Sequence, residues 1–202
     1  MKKLAVSTLA VLIACPAFAC NHNDGCFWNL SNWDPYLALR GGIGYTNTNY
    51  SFNAQKESVA DMTVVGRAAL GLEMVKSYRT EIEWSMYSNA KETANFGDAT
   101  DVEVTTKLQT LLMNAFMDIG SYHTIRPYIG IGAGVGFTEI NRAGATIAAH
   151  SDDQAGFSAT GIMGMTFDMD QFAIDVATRY TYVDVQAGLH NFGADVGIRF
   201  MF

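Results

Sequence analysis

Eight stretches of this 202-residue chain alternate apolar residues with small or polar ones at a period of two. That period belongs to a β-strand, whose successive side chains point to opposite faces. The stretches lie at roughly 36 to 46, 63 to 75, 78 to 88, 103 to 118, 127 to 138, 156 to 168, 172 to 183 and 191 to 202. A tilted strand needs about nine to eleven residues to cross a bilayer, whereas strands of globular proteins usually have about five or six. The lengths therefore point to strands that cross a membrane.

The two faces of each stretch differ in kind. In the first, Leu37, Leu39, Gly41, Ile43 and Tyr45 oppose Tyr36, Ala38, Arg40, Gly42 and Gly44. In the third, Thr80, Ile82, Trp84 and Met86 oppose Arg79, Glu81, Glu83 and Ser85. Charge keeps to one face throughout: Arg40, Arg67, Arg79, Arg179 and Arg199 against Glu73, Glu81, Glu83, Asp118, Asp168, Asp175 and Asp195. The cation is arginine, the residue suited to confined ion pairs with several hydrogen bonds. A water-soluble barrel would turn such a face outward. In a membrane barrel the apolar face meets lipid and the polar face lines the interior. The composition agrees, with 49% apolar and only 16% charged residues, where about a quarter charged is usual for soluble domains.

The connections alternate between long and short: 47 to 62, 76 to 77, 89 to 102, 119 to 126, 139 to 155, 169 to 171, and a moderate 184 to 190. Outer-membrane barrels have short periplasmic turns and longer outer loops. Beyond the first residues no apolar run reaches the roughly 18 residues of a membrane helix. The expected fold is all-β, an eight-stranded antiparallel up-and-down transmembrane β-barrel over 35 to 202. Pro35 and Pro127 stand at strand starts, where a missing ladder donor matters least.

The run "RPYIGIGAGVGF", residues 126 to 137, has glycine at 130, 132, 134 and 136. A dinucleotide loop needs a G-x-G-x-x-G turn that leads from a strand into a helix, and here the period stays at two. Ile129 to Phe137 is expected to face lipid, with the glycines lining an interior crowded by charged side chains of neighbouring strands.

Residues 1 to 19 read as a cleaved export signal: Lys2 and Lys3, an apolar stretch from Leu4 to Ala14, and Ala17-Phe18-Ala19. A lipoprotein cut before Cys15 is the alternative, disfavoured by the proline that follows it. Removing Lys2 and Lys3 with no acid moves the formal charge from -7 to -9. Nothing in that charge suggests a nucleic-acid partner, which would require a clustered basic face, and none is expected. Cys20 and Cys26 remain in a periplasmic segment, 20 to 34, and in an oxidising compartment they can close a disulfide. Metal binding with His22 and Asp24 is the weaker alternative, since no second cluster completes a site. Trp28 and Trp33 are candidate interfacial anchors or part of a free tail. No cofactor is expected.

The stretch "LLMNAFMDIGSYHTIRPYIGIGAGVGF" resembles the small opacity-type and surface-antigen outer-membrane barrels of Gram-negative bacteria. Asn114, Ala115, Phe116 and Asp118 match the pattern of one strand, with Met117 in place of an aromatic, and Pro127 to Phe137 match the next. The final strand places Phe192, Ala194, Val196, Ile198, Phe200 and Phe202 on one face. Its Ile198, Phe200 and Phe202 resemble the carboxyl-terminal signal read by the barrel-assembly machinery. The resemblance implies the cell outer membrane as location, and lipid, lipopolysaccharide and the assembly machinery as partners. It further implies a non-catalytic role in adhesion, host interaction or envelope integrity through an extracellular or host surface ligand. Two alternatives remain: an enzyme that modifies lipid A, for which His190 with Asp184 or a loop serine is the candidate base, and a narrow, weakly conducting pore.

Overall fold

The computed structural model describes residues 33–52, 55–75, 77–96, 99–120, 124–144, 147–169, 171–185 and 188–202. Its strands are β1 (Asp34–Phe52), β2 (Gln55–Val75), β3 (Tyr78–Tyr87), β4 (Ala90–Phe96), β5 (Ala99–Asp118), β6 (Ile125–Gly144), β7 (Ile147–Met169), β8 (Phe172–Asp184) and β9 (Leu189–Met201). Every pairing is antiparallel, and β1 pairs with β9 to close the sheet into a barrel. The ring has eight strands because β3 and β4 are two halves of one. β3 pairs with the lower part of β5, from Tyr78↔Met117 to Met86↔Gln109, and β4 with the upper part, from Ala90↔Thr106 to Phe96↔Ala99. The break at Ser88 and Asn89 is bridged by Ser88, whose N–H donates to the Val64 carbonyl at 2.7 Å while its Oγ accepts from Val64 N–H at 2.9 Å. Closure matters because hydrocarbon offers no partner for an unpaired strand edge.

The strands outrun the sequence expectation. The segments 47–62, 89–102 and 139–155, expected as loops, continue the ladders as far as Phe52↔Gln55, Phe96↔Ala99 and Gly144↔Ile147. Three β-hairpins therefore rise beyond the apolar band. Alternation of apolar and charged residues marks only the part of a strand with lipid on one side. Above it, the arms of a hairpin hydrogen-bond each other whatever their side chains, and the signal fades. Ile125 and Arg126, expected in a turn, belong to β6. The barrel strand starts at Asp34, paired with Glu73.

Tracing paired residues around the ring from Tyr36 through Gly71, Glu81, Asn114, Gly132, Thr160, Thr181 and Asn191 returns to β1 at Thr46, ten positions higher. This stagger tilts the strands, typically by about 35–45°. Every residue on that path faces inward. The outward face is apolar: Leu39 is 50% exposed and Ile131 73%, whereas Glu83 and Arg199 are fully buried. Exposed aromatics form two belts. Tyr45, Phe192 and Tyr180 are neighbours across β1, β9 and β8 toward the hairpin end, with Phe137 and Phe157 on β6 and β7. Tyr78, Phe172, Phe200 and Phe202 lie at the short-turn end. From Phe192 to Phe200 is about 26 Å along a strand at about 3.3 Å per residue, or about 20 Å along the axis at a tilt of about 40°. With the ring widths added, this matches an apolar band about 25 Å tall between aromatic girdles.

Candidate functional site

The sequence-derived charges all project to the lumen side and meet there. Arg40 forks onto Glu81 at 2.8 and 2.9 Å and reaches Glu83 at 3.2 Å and Asp175 at 3.6 Å. Arg179 forks onto Glu83 at 2.7 and 3.0 Å and donates to Asp195 at 3.2 Å. Arg67 bonds Asp195 and stands 3.8 Å from Glu83. Arg79 donates to Asp118 at 3.1 Å, and Arg199 pairs with Glu73 at 3.4 Å and Asp175 at 3.7 Å. Paired, forked geometry is what makes buried ions tolerable, because an isolated buried charge would lose its hydration without compensation.

One charged member of this network carried no signal in the sequence. Arg126, at the start of β6, donates to Glu73 at 3.0 Å and to Asp168 at 2.9 Å, and pairs with Asp118 at 3.1 Å, at the short-turn mouth. Its position beside Pro127 made it read as a turn residue. Neutral groups complete the shell: Tyr36 and Asn114 each donate to Glu81 at 3.2 Å, Ser85 donates to Glu83 at 3.2 Å, and Thr166 donates to Asp175 at 2.7 Å. Arg79 lies over Phe116 and Tyr128, 5.1 and 4.7 Å from the ring centroids, and Arg199 over Tyr36 at 5.2 Å. These stacked faces attract guanidinium charge where hydrogen bonds do not reach.

Toward the hairpin end the lumen changes character. Val65, Tyr87, Leu108, Val183 and Leu189 form a buried apolar cluster, with Val185 against it. Beside it Asn191 donates to Thr46 at 2.8 Å and to Thr63 at 3.3 Å, so the upper lumen holds apolar and neutral polar groups but no ion pair among the described residues. The four glycines of β6 are crowded, but not by charges as the sequence suggested. An added Cβ would strike Phe116 at Gly130, Asn114 and Thr160 at Gly132, the Leu111 carbonyl at Gly134 and Val183 at Gly136. Side chains of β5, β7 and β8, and at Gly134 the backbone of β5, thus occupy the space that β6 leaves bare, as in barrels of this size, whose interior is just wide enough for side chains to fill. Planar-bilayer recording of the folded protein is accordingly expected to show no steady conductance; a stable open level would contradict the packing.

At the hairpin end of the outward face stands His190. Its Nδ1 is bonded to the Tyr180 hydroxyl at 2.7 Å, and its ring lies 5.1 Å from that of Tyr182. Tyr182 donates in turn to Asp184 at 3.3 Å. Nucleophilic hydrolysis needs a hydroxyl beside a base that a third group orients. Among the described residues no serine or threonine bonds His190, and Asp184 is bonded by Tyr182. Lys107, within β5, also points outward and pairs with Glu139 at 3.3 Å. Ile198, Phe200 and Phe202 sit on the outward face of the last strand, and the Phe202 N–H donates to the Pro35 carbonyl at 3.1 Å. The leader, Cys20 and Cys26 lie outside the described residues.

Solved structures resemble this barrel. Neisserial surface protein A aligns with a TM-score of 0.59 at 13% identity, covering 82% of this chain and 97% of that one. Ail, the attachment invasion locus protein of Yersinia pestis, aligns with a TM-score of 0.51 at 14% identity, covering 83% and 99%. Among curated proteins no sequence match is found. Residues 71–202 match the family model described as Opacity family porin protein. With more than half of its length matched, and with an apolar girdle around a closed eight-stranded ring, the chain belongs to the Opacity family, whose barrels reside in the cell outer membrane.

Proposed function

We propose that this protein is a non-catalytic surface barrel whose three projecting hairpins engage a ligand outside the cell, in adhesion, host interaction or envelope integrity. The observation that carries this reading is the division of the molecule: a lumen occupied by ion pairs and an apolar cluster, and ladders that continue past the membrane band. The filled interior leaves recognition to the exterior, where variable loops on a rigid scaffold carry function in many folds.

The hairpins are acidic. They contain Lys56, Lys91 and Arg142 against Glu57, Asp61, Glu92, Asp98, Asp101, Glu139, Asp152 and Asp153. Ail was solved with the heparin analogue sucrose octasulfate. A polyanion of that kind would be repelled here, so the ligand expected is neutral or basic. Replacing each hairpin in turn by a short turn is expected to abolish binding to cells or matrix in at least one case, while the barrel still shows a heat-dependent mobility shift on gels. Binding that survives all three replacements overturns the proposal. Lipid A of unchanged mass in cells with and without the protein is the outcome expected for a non-enzyme.

A further inference from the structure

Above the membrane band the wall of the ring divides. β4, β5, β6 and β7 stay paired with one another, β5 to β6 as high as Glu103↔Ala143 and β6 to β7 as high as Gly144↔Ile147. Above Thr48 and Val64, β1 and β2 pair only with each other among the described residues. The crown is therefore a four-stranded sheet beside a separate hairpin, and β7 is one border of that sheet. The ladder of β7 to β8 ends at Phe157↔Asp184. From Ile147 to Ala155, β7 thus has β6 on one side and no strand on the other among the described residues. That stretch is about 30 Å long at about 3.4 Å per residue. Along such an edge the N–H and C=O groups of alternate residues point away from the sheet, open to another strand.

Edges of natural sheets are blunted by shortness, lysine, proline or a bulge. The other borders of the crown follow that rule. β4 has 7 residues, contains Lys91 and shifts register between Ala94 and Phe96. The free part of β2 contains Lys56, and that of β1 runs only from Asn49 to Phe52. β7 contains no lysine, arginine or proline, and its ladder to β6 is regular as far up as Arg142↔His150. The charges on its free stretch are Asp152 and Asp153, and Asp184 ends β8 where the edge begins.

We propose that the free edge of β7 takes up an extended, basic segment of another protein as an added strand. Backbone hydrogen bonds supply the affinity, as in other cases of strand addition, and the three acids select lysine and arginine. A second copy of this chain brings the same acidic crown, so like charge opposes self-pairing along this edge. The inference rests on the reading of the hairpins as the ligand-binding part and narrows it to one border and one class of ligand.

The test uses the full mature chain in phosphatidylcholine vesicles, which carry no net charge, and a fluorescent decapeptide of alternating lysine and threonine, read by anisotropy. The peptide is expected to bind. A version N-methylated at alternate residues keeps one complete hydrogen-bonding edge and should still bind. A version N-methylated throughout keeps its charge but no backbone donor, and should bind at least about tenfold more weakly, the scale of one or two lost hydrogen bonds. Asp152→Lys with Asp153→Lys should weaken the lysine peptide similarly and favour its glutamate counterpart. Replacing the β6–β7 hairpin by a short turn should abolish binding, and replacing either of the other two should not. The heat-dependent gel shift identifies the folded variants. Equal binding of the fully methylated peptide means charge attraction without strand pairing and overturns the proposal, as does failure of the lysine peptide to bind. A stable dimer that shuts the peptide out also overturns it, making the edge a contact between copies. These results leave the hairpin reading standing, which falls only if binding to cells or matrix survives all three hairpin replacements.

Discussion

Glu83→Ala is expected to destabilise the folded barrel by about 3–5 kcal/mol, the usual scale for removing one partner from a buried ion pair. Glu83 is fully buried and is the acceptor on which three arginines converge: Arg179 at 2.7 and 3.0 Å, Arg40 at 3.2 Å and Arg67 at 3.8 Å. Arg40 and Arg67 retain Glu81 and Asp195, but Arg179 keeps only its bond to Asp195. The damage should concentrate there. Denaturant unfolding in vesicles measures the change directly. The double variant Glu83→Ala with Arg179→Ala should recover part of the loss, because it removes a charge left without its forked partner. Glu83→Gln separates charge from shape, since it fills the same space and accepts through one oxygen only. An unchanged midpoint for Glu83→Ala would mean that the lumen network contributes nothing to stability.

Two glycines of the barrel, Gly134 on β6 and Gly41 on β1, should respond in opposite ways to alanine. At Gly134 on β6 an added Cβ would lie 2.0 Å from the Leu111 carbonyl oxygen and 2.9 Å from the Leu112 Cα. Both are backbone atoms of the paired strand, so relief requires β5 to move away from β6. Overpacking of this sort costs about 1–3 kcal/mol where side chains can adjust, and more where they cannot. Gly134→Ala should therefore assemble poorly, with most of the protein migrating as unfolded chain before heating. At Gly41 on β1 the same methyl meets nothing within 4 Å. Gly41→Ala should fold normally and gain up to about 1 kcal/mol from restricted backbone freedom. Gels run with and without heating score both variants together; equal behaviour of the two would contradict the inward placement of Gly134 and the outward placement of Gly41.

The contrast between these glycines shows where sequence reasoning runs out. Strand, face and environment were readable, because a side chain on a strand has only two directions to choose from and hydrocarbon tolerates only one kind of residue. Leu39, Ile82, Trp84 and Val196 had to face lipid, which forced Arg40, Glu81, Glu83 and Asp195 inward. What lies opposite a given residue across the lumen was not readable. Arg179 and Glu83 are 96 positions apart and Arg67 and Asp195 128, and their meeting depends on the ten-residue stagger of the closed ring. Arg126 joined the network for the same reason, brought to Glu73 of β2 and Asp168 of β7 where the ring closes at the short-turn mouth.

The hairpins and the rim make the same point from outside the hydrocarbon. Beyond the apolar band no lipid sorts the two faces, so residues such as Asn47 to Phe52 lose their alternation although their backbone ladder continues. The contacts of Tyr180 and Tyr182 with His190 needed β8 to pair with β9 in register. Period, chain length between turns and the sorting of charge settled that this polypeptide crosses a membrane as a barrel, because each is a local consequence of which solvent touches which side chain. Closure and shear settled which charges neutralise one another and how the lumen is filled, because these are distances between residues that the chain itself keeps far apart.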